Sequence, residues 1–276
     1  MSSGSVQSRS EVKSLLARHG LSPDKKLGQH FLAAPNITRK IAGLAQVGSG
    51  DRVIEVGPGT GTLTAALEQT GAAVTAIEVD ESLRPILEET TSATLVFGDA
   101  AKMNLSELLV GGDWTFVSNL PYNVGTSIVL DALRSVPQIR RFVVMVQLEV
   151  AQRLVAMPGS KTYGQPSVVA SLHGVAHIAL RVPPQVFVPA PRVGSAVVVI
   201  DRRPAHPLAP RAIEIAANAF NQRRKMLRKS LAGTFADPVA IAERAGLEST
   251  ARPEDLDPTD FIRLAEAEAS LESGHG

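Results

Sequence analysis

The chain of 276 residues contains no cysteine, which excludes disulfides, a thiolate metal site and a cysteine nucleophile. Aromatic residues make up only 4% of it, so each Tyr or Phe beside a chemically loaded stretch carries more weight than usual. No apolar run approaches the length that crosses a bilayer, and the polar start, Met1 to Ser10, lacks the apolar core of a signal peptide. Internal repeats and low-complexity tracts are absent as well. The expectation is an intracellular, cytoplasmic protein without a membrane partner, large enough for one sizeable domain and a smaller one.

Charge of one sign is scarce in particular places. The net charge is +1, yet Arg202 to Thr234 holds eight Lys/Arg against one acid, Glu214. From Asp237 onward there are ten acids against three Arg. Such asymmetry points to a basic face for a polyanion. On a helical reading of this region, Arg223, Arg224, Lys225, Arg228 and Lys229 crowd one exposed side, nearly free of acids, as contact with a phosphate backbone requires.

Alternating strands and helices from 52 to 147 argue for a parallel sheet with helices on both faces. A strand Val53–Val56 enters Gly57-Pro58-Gly59-Thr60-Gly61, and a helix follows from Thr62. Glycines there let backbone amides approach a ligand, but the spacing is G-x-G-x-G and not the G-x-G-x-x-G of dinucleotide binders. A second strand, Ala73 to Ile77, ends in Glu78-Val79-Asp80, and a third, Ala93 to Phe97, ends in Gly98-Asp99-Ala100. A carboxylate at the end of the second strand suits both hydroxyls of a ribose. The pattern describes a nucleoside pocket, with Gly57 and its neighbours near a charged tail, Glu78 on the ribose and Asp99 on a base amine.

The strand Trp114–Val117 then runs into Ser118-Asn119-Leu120-Pro121-Tyr122-Asn123. Pro121 cannot continue the ladder, and the residue before a proline is held extended. A carbonyl, an amide side chain and a ring are therefore presented together at a strand's C-terminal end, the edge where open α/β sheets bind ligands. Lys25 to Leu32 reads either as a loop leading to a helix or as a flap over that ligand. Phe187, which opens the proline-stiffened loop to Ser195, reads as a core plug or a stacking surface, and without further context the plug is favoured. His173 and His177 are spaced like a helical zinc pair, but Gly174-Val175-Ala176 between them lacks the motif's Glu and no third ligand is evident, so no metal is expected. Residues 1–22 read as a frayed or weakly helical start, Gly159 to Gly164 as a polar loop and Ser167 to Val182 as strand-like or mixed. Arg202 to Pro210 is the linker. The division expected is an N-terminal extension (1–24), a Rossmann-like domain (25–203) and a helical RNA-binding domain (204–276).

Several of these pieces, taken in order, resemble the ribosomal RNA adenine N6,N6-dimethyltransferases, in particular the bacterial small-subunit rRNA enzymes. They are Lys26 to Leu32, Glu55 to Gly61, Glu78 to Asp80, Gly98 to Ala100, Asn119 to Asn123, Phe187 to Ser195 and Phe220 to Leu227. The resemblance implies a class I S-adenosyl-L-methionine-dependent methyltransferase: a Rossmann-like, mostly parallel seven-stranded sheet with a small C-terminal all-helical domain. It implies cofactor contacts at His30, Leu32, Gly57, Glu78, Asp99 and Asn119, with S-adenosyl-L-homocysteine as product. His30 departs from the Asn usual at its position. The implied catalytic residues are Asn119, Leu120, Pro121, Tyr122 and Phe187, and RNA would be held by Arg223, Arg224, Lys225, Arg228 and Lys229. The implied substrate is a pair of adjacent adenosines in the 3′-terminal hairpin of small-subunit rRNA, within an assembling 30S subunit; a monomer is expected.

An adenine exocyclic amine is a poor nucleophile because its lone pair is delocalised into the ring. The Asn119 oxygen and the Leu120 carbonyl can both accept from it and favour a more tetrahedral nitrogen. Tyr122 would stack on the base and Phe187 would hold its other face, a contribution of roughly 1–3 kcal/mol per base. The base must leave its stack, and positioning does most of the catalytic work. Three other readings stay open: a large-subunit rRNA adenine methylase conferring macrolide resistance, a non-catalytic assembly or transcription factor on the same fold, and a nicotinamide oxidoreductase, which G-x-G-x-G disfavours.

Overall fold

The computed structural model describes residues 4–273. The chain forms two compact units: residues 1–151 with 177–202, and residues 152–176 with 203–276. It passes between them within a helix, within a strand and after Arg202.

The first unit begins with α1 (Arg9–Arg18), β1 (Phe31–Leu32) and α2 (Pro35–Ala45), followed by β2 (Arg52–Val56) and α3 (Thr62–Glu68). Next come β3 (Ala73–Glu78), α4 (Arg84–Thr90), β4 (Thr94–Phe97), α5 (Leu105–Leu108) and β5 (Trp114–Asn119). Then follow α6 (Gly125–Ser135), β6 (Ile139–Gln147), α7 (Leu148–Leu154), α8 (Gln165–His173), β7 (Gly174–Val182), β8 (Phe187–Val188) and β9 (Ser195–Arg202), of which α8 belongs to the second unit and α7 and β7 are divided between the two. The main sheet has seven strands in the order β4-β3-β2-β5-β6-β9-β7, and β1 pairs with β8 in a separate ribbon. Pairings from β4 to β6 are parallel, and β9 runs antiparallel to β6. Numbering only the strands of the main sheet along the chain, the order is 3-2-1-4-5-7-6, the class I methyltransferase topology. Its direction of winding reverses between β2 and β5, and such a switch point opens a crevice outside the strands' C-terminal ends. The Val56 amide donates to Ser118 Oγ at 2.8 Å and ties the two strand ends together there. β5 stops where its sequence requires: the Leu120 amide makes a last bond to Met145 O at 3.1 Å, and Pro121 has no N–H to offer.

The described part of residues 1–22, from Gly4 on, is not frayed but carries a capped helix. α1 starts on a capping box, in which the Ser8 side chain accepts from the Glu11 amide while Glu11 accepts from the Ser8 amide. Its apolar face, Val12, Leu15 and Leu16, is buried with Phe31, Leu83, Ile86, Leu87 and Val188. Burial of each such side chain is worth roughly 2 kcal/mol, enough to hold a helix too short to persist alone. The described part of 1–24 is therefore part of the first unit and not an appendage to it.

The second unit adds α9 (Ala209–Phe220), α10 (Leu227–Ser230), α11 (Pro238–Arg244) and α12 (Pro258–Ser273). It also takes residues 152–176, which the expected span of 25–203 had put with the sheet. Tyr163 explains the difference. It lies in the segment read as a polar loop, yet its side chain is fully buried, donates from its hydroxyl to Leu256 O at 2.8 Å and meets Phe220 edge-on at 5.6 Å. The stretch read as strand-like or mixed divides into α8, whose Val168 and Val169 are buried, and β7. His173 closes α8 while His177 stands on β7, so the two share no helical face. Among the described residues no group of His, Cys, Asp and Glu could hold a metal ion, and no helix is long and apolar enough to cross a membrane.

Candidate active site

A cleft lies at the C-terminal ends of β2, β3, β4 and β5. Its wall includes all of His30, Leu32, Gly57, Glu78, Asp99 and Asn119, together with Leu120, Pro121 and Tyr122. Residues far apart in sequence thus meet because four parallel strands end on one edge.

The segment 25–32 forms one side of the cleft, and the ribbon explains why it stays there. Phe31 pairs with Val188 and Leu32 with Phe187. The Gln29 side chain donates to Asp80 Oδ2 at 2.7 Å and so reaches the end of β3. Phe31 also covers the glycine-rich turn: Gly59 has φ +60°, and a Cβ there would come within 2.8 Å of the Phe31 ring. Only glycine fits that close approach.

Asn119 donates its side-chain nitrogen to the His30 carbonyl at 3.1 Å. A carbonyl can only accept, so this bond orients the amide and leaves Oδ1 as the acceptor Asn119 has to offer. His30 Nδ1 lies 2.8 Å from Pro189 O, which places the proton on Nδ1 by the same reasoning. The His30 ring lies 5.3 Å from Tyr122, tilted by 31°. The Tyr122 hydroxyl is 2.5 Å from Ser195 Oγ, and burial pushes its pKa up despite that contact. His30 thus links the segment 25–32, the Asn119–Tyr122 turn and the loop after β8.

Two carboxyl groups line the cleft in low-dielectric surroundings. Glu78 accepts from the amides of Gly59, Val79 and Asp80, yet burial outweighs those bonds and raises its pKa. Glu55 is buried, accepts from Thr64 Oγ1 at 2.6 Å and is pushed up to about 8, chiefly by desolvation. Thr60, in the glycine-rich turn, is buried in the wall, and its Oγ1 has no hydrogen-bond partner among the described residues.

Phe187 is not in the cleft. Its side chain is 0% exposed and packs with Leu32, Ile41, Val117, Val197 and other core residues. The plug reading describes its place, and the ring beside Tyr122 is that of His30. Sequence reasoning gave no role to Glu55, Thr60 or Ser195, although each lies inside a motif that it singled out.

In the second unit, residues 221–225 lie in the turn between α9 and α10, and of the five basic residues only Arg228 and Lys229 stand on a helix. Arg223 is engaged: it pairs with Glu254 at 2.8 Å and donates to the carbonyls of Lys161 and Ser160 at 2.7 and 2.9 Å. Arg224, Lys225, Arg228 and Lys229 are exposed.

The ribosomal RNA adenine dimethylase family model matches residues 21–269. The chain is 46% identical over 270 residues to the ribosomal RNA small subunit methyltransferase A of Phenylobacterium zucineum, covering 95% of this chain and 94% of the relative. Among solved structures it resembles a dimethyladenosine transferase from Plasmodium falciparum, with TM-score 0.70, 23% identity and coverage of 85% and 96% of the two chains. The 23S rRNA methyltransferase ErmE gives TM-score 0.64 at 23% identity, covering 86% and 98%. At such identities the two structures speak for the fold alone.

Proposed function

The chain belongs to the ribosomal RNA adenine dimethylase family, and from that premise we propose that it methylates N6 of two adjacent adenosines in the 3′-terminal hairpin of small-subunit (16S) rRNA. The methyl donor is S-adenosyl-L-methionine. The observation that carries the reading is that Asn119 to Tyr122 opens onto the same cleft as Gly57, Glu78 and Asp99.

The residues present fit the donor. Carboxyl groups stand at the ends of two adjacent strands, and a buried hydroxyl with no partner, on Thr60, lies in the same wall. Glu78 and Asp99 would hold the nucleoside, with His30, Leu32, Gly57 and Asn119 around it. When bound, the cofactor supplies a methyl group on a positively charged sulfur, a strong electrophile.

The protein's own part is positioning. Asn119 Oδ1 and the Leu120 carbonyl accept from the target amine and draw its lone pair out of the ring. Tyr122 takes the face of the base, its hydroxyl held by Ser195 and its ring flanked by His30. Pro121 keeps Leu120 extended, so the carbonyl and the amide side chain point from fixed backbone. Acceptors fixed in advance where charge develops are worth more than the same groups in bulk water. The exposed Arg224, Lys225, Arg228 and Lys229 give the second unit a cationic surface for the RNA backbone. The protein acts as a monomer in the cytoplasm, on an assembling 30S subunit.

The 46% identity to a protein named for the small subunit favours that substrate over the large one. The test uses radiolabelled S-adenosyl-L-methionine and small subunits lacking the modification. Labelled dimethyladenosine is expected after nuclease digestion. Label on large-subunit RNA would point to the macrolide-resistance reaction, and binding without label would point to an assembly factor.

A further inference from the structure

The backbone and the side chain of His30 are engaged in different directions. Its carbonyl accepts from the Asn119 side chain at 3.1 Å. Its Nδ1 donates to Pro189 O at 2.8 Å, and its ring lies 5.3 Å from that of Tyr122, at 31°. Aromatic pairs in direct contact have centroids ~4.5–7 Å apart, so no base fits between these two rings. The tilt is nearer to parallel than to edge-on, which lays the imidazole over one face of Tyr122 and leaves the other. The backbone keeps the pair together. Gly28 (φ +67°) lies so close to the turn that a Cβ there would come within 3.3 Å of Asn123 Oδ1 and 3.8 Å of the Tyr122 amide nitrogen. Phe31, next in the chain to His30, pairs with Val188, next to Pro189. The loop from Pro189 then returns to Ser195, whose Oγ is 2.5 Å from the Tyr122 hydroxyl. His30, Pro189, Ser195 and Tyr122 thus close a circuit around the turn.

We propose that the His30 side chain serves the target base and not the cofactor: it is the positioning residue that fixes the plane of the Tyr122 ring, from the face opposite the adenine. The inference rests on the reading of Asn119 to Tyr122 as the seat of the target adenine. A tyrosine hydroxyl lies on the axis about which its ring turns, so the contact with Ser195 fixes the end of the ring and not its plane. A flat neighbour against one face supplies what that contact lacks. Asparagine, usual at this position in the family, has an amide to offer Pro189 O but no ring to lay on Tyr122. With one face taken by the imidazole, the adenine has only the other to stack on, so His30 also sets the side from which the base enters.

The experiment gives the full chain two readouts: calorimetric binding of S-adenosyl-L-homocysteine, and steady-state methylation of small subunits lacking the modification. His30→Ala should bind S-adenosyl-L-homocysteine as wild type does and lower kcat by about fivefold, the worth of one aromatic contact, with KM for subunits unchanged. His30→Phe, which keeps a ring and loses both nitrogens, should recover most of that loss. In a Tyr122→Leu background His30→Ala should cost nothing further, since both changes remove one contact. Weakened S-adenosyl-L-homocysteine binding in His30→Ala, or wild-type kcat, would overturn the assignment to the base. His30→Phe as slow as His30→Ala, or losses that multiply with Tyr122→Leu, would overturn the positioning role. A wild-type protein that binds S-adenosyl-L-homocysteine but methylates no subunit would instead bring down the adenine reading itself.

Discussion

The Tyr122 hydroxyl and Ser195 Oγ lie 2.5 Å apart, the one just past the end of β5 and the other at the first residue of β9. Ser195 is 1% exposed and Tyr122 only partly so. A fixed serine thus holds the far end of a ring that meets the cleft. Removing either hydroxyl, by Tyr122→Phe or Ser195→Ala, should lower kcat by about fivefold, as for one neutral hydrogen bond of ~1 kcal/mol. The double variant should lose no more than either single one. Losses that multiply would mean that Ser195 acts on something other than Tyr122.

Asn119→Ala removes both the acceptor and the bond to His30 O. Turnover should fall by a factor on the order of 10²–10³, the usual effect of deleting one preorganised polar contact. Affinity for small subunits, measured by filter binding, should stay near that of wild type. Full activity in this variant would remove the proposed mechanism.

Phe187 sits in the core, so Phe187→Leu should act on stability before it acts on catalysis. A loss on the order of 1–2 kcal/mol in urea unfolding is expected, with kcat at 25 °C nearly unchanged. A variant as stable as wild type but inactive would return Phe187 to the target base.

The basic residues divide into two groups. Replacing Arg224, Lys225, Arg228 and Lys229 by Ala should weaken subunit binding and flatten its salt dependence, each lost phosphate contact reducing the slope by ~0.7–0.9. Arg223→Ala should lower the melting temperature instead, because Glu254 and the carbonyls of Ser160 and Lys161 lose their partner. An unchanged slope in the fourfold variant would leave that cluster a solvated face.

Glu55 gives the apo protein a pH signature. Its folded-state pKa is raised from 4.5 to about 8, so the native state keeps a proton that the unfolded chain gives up. Its stabilising contribution is full below 4.5 and is lost as pH rises toward 8. Melting curves of wild type and Glu55→Gln should therefore diverge between those pH values, with the wild type falling behind as pH rises. Parallel curves would mean that Glu55 ionises normally.

Much of the site could be read from local sequence because its parts are local. Each strand that ends in Gly, Asp, Glu or Asn chemistry carries its own stop signal, and parallel strands joined by helices must end on one edge. Gly57, Glu78, Asp99 and Asn119 are grouped by sequence for that reason, and the cleft holds all four. α1 could have been found too, from the S-x-x-E signature at Ser8 and Glu11, but its few apolar residues gave a weak period. Tyr163 hides in a segment whose other residues are polar, and the amphipathic run Met226–Leu231 does not show that the helix starts only at Leu227, leaving Arg223, Arg224 and Lys225 in the turn before it.

The sequence by itself determined the order of elements, the edge where the chemistry gathers and the family, since each follows from neighbours along the chain. Only the tertiary structure decided that Phe187 faces the core, that Arg223 is spent on Glu254, that residues 152–176 join the second unit and that the His30 ring lies on Tyr122. The physical reason is common to all four. A side chain's role depends on the partner that reaches it, and these partners are set by packing between segments whose separation along the chain leaves no periodic or local trace.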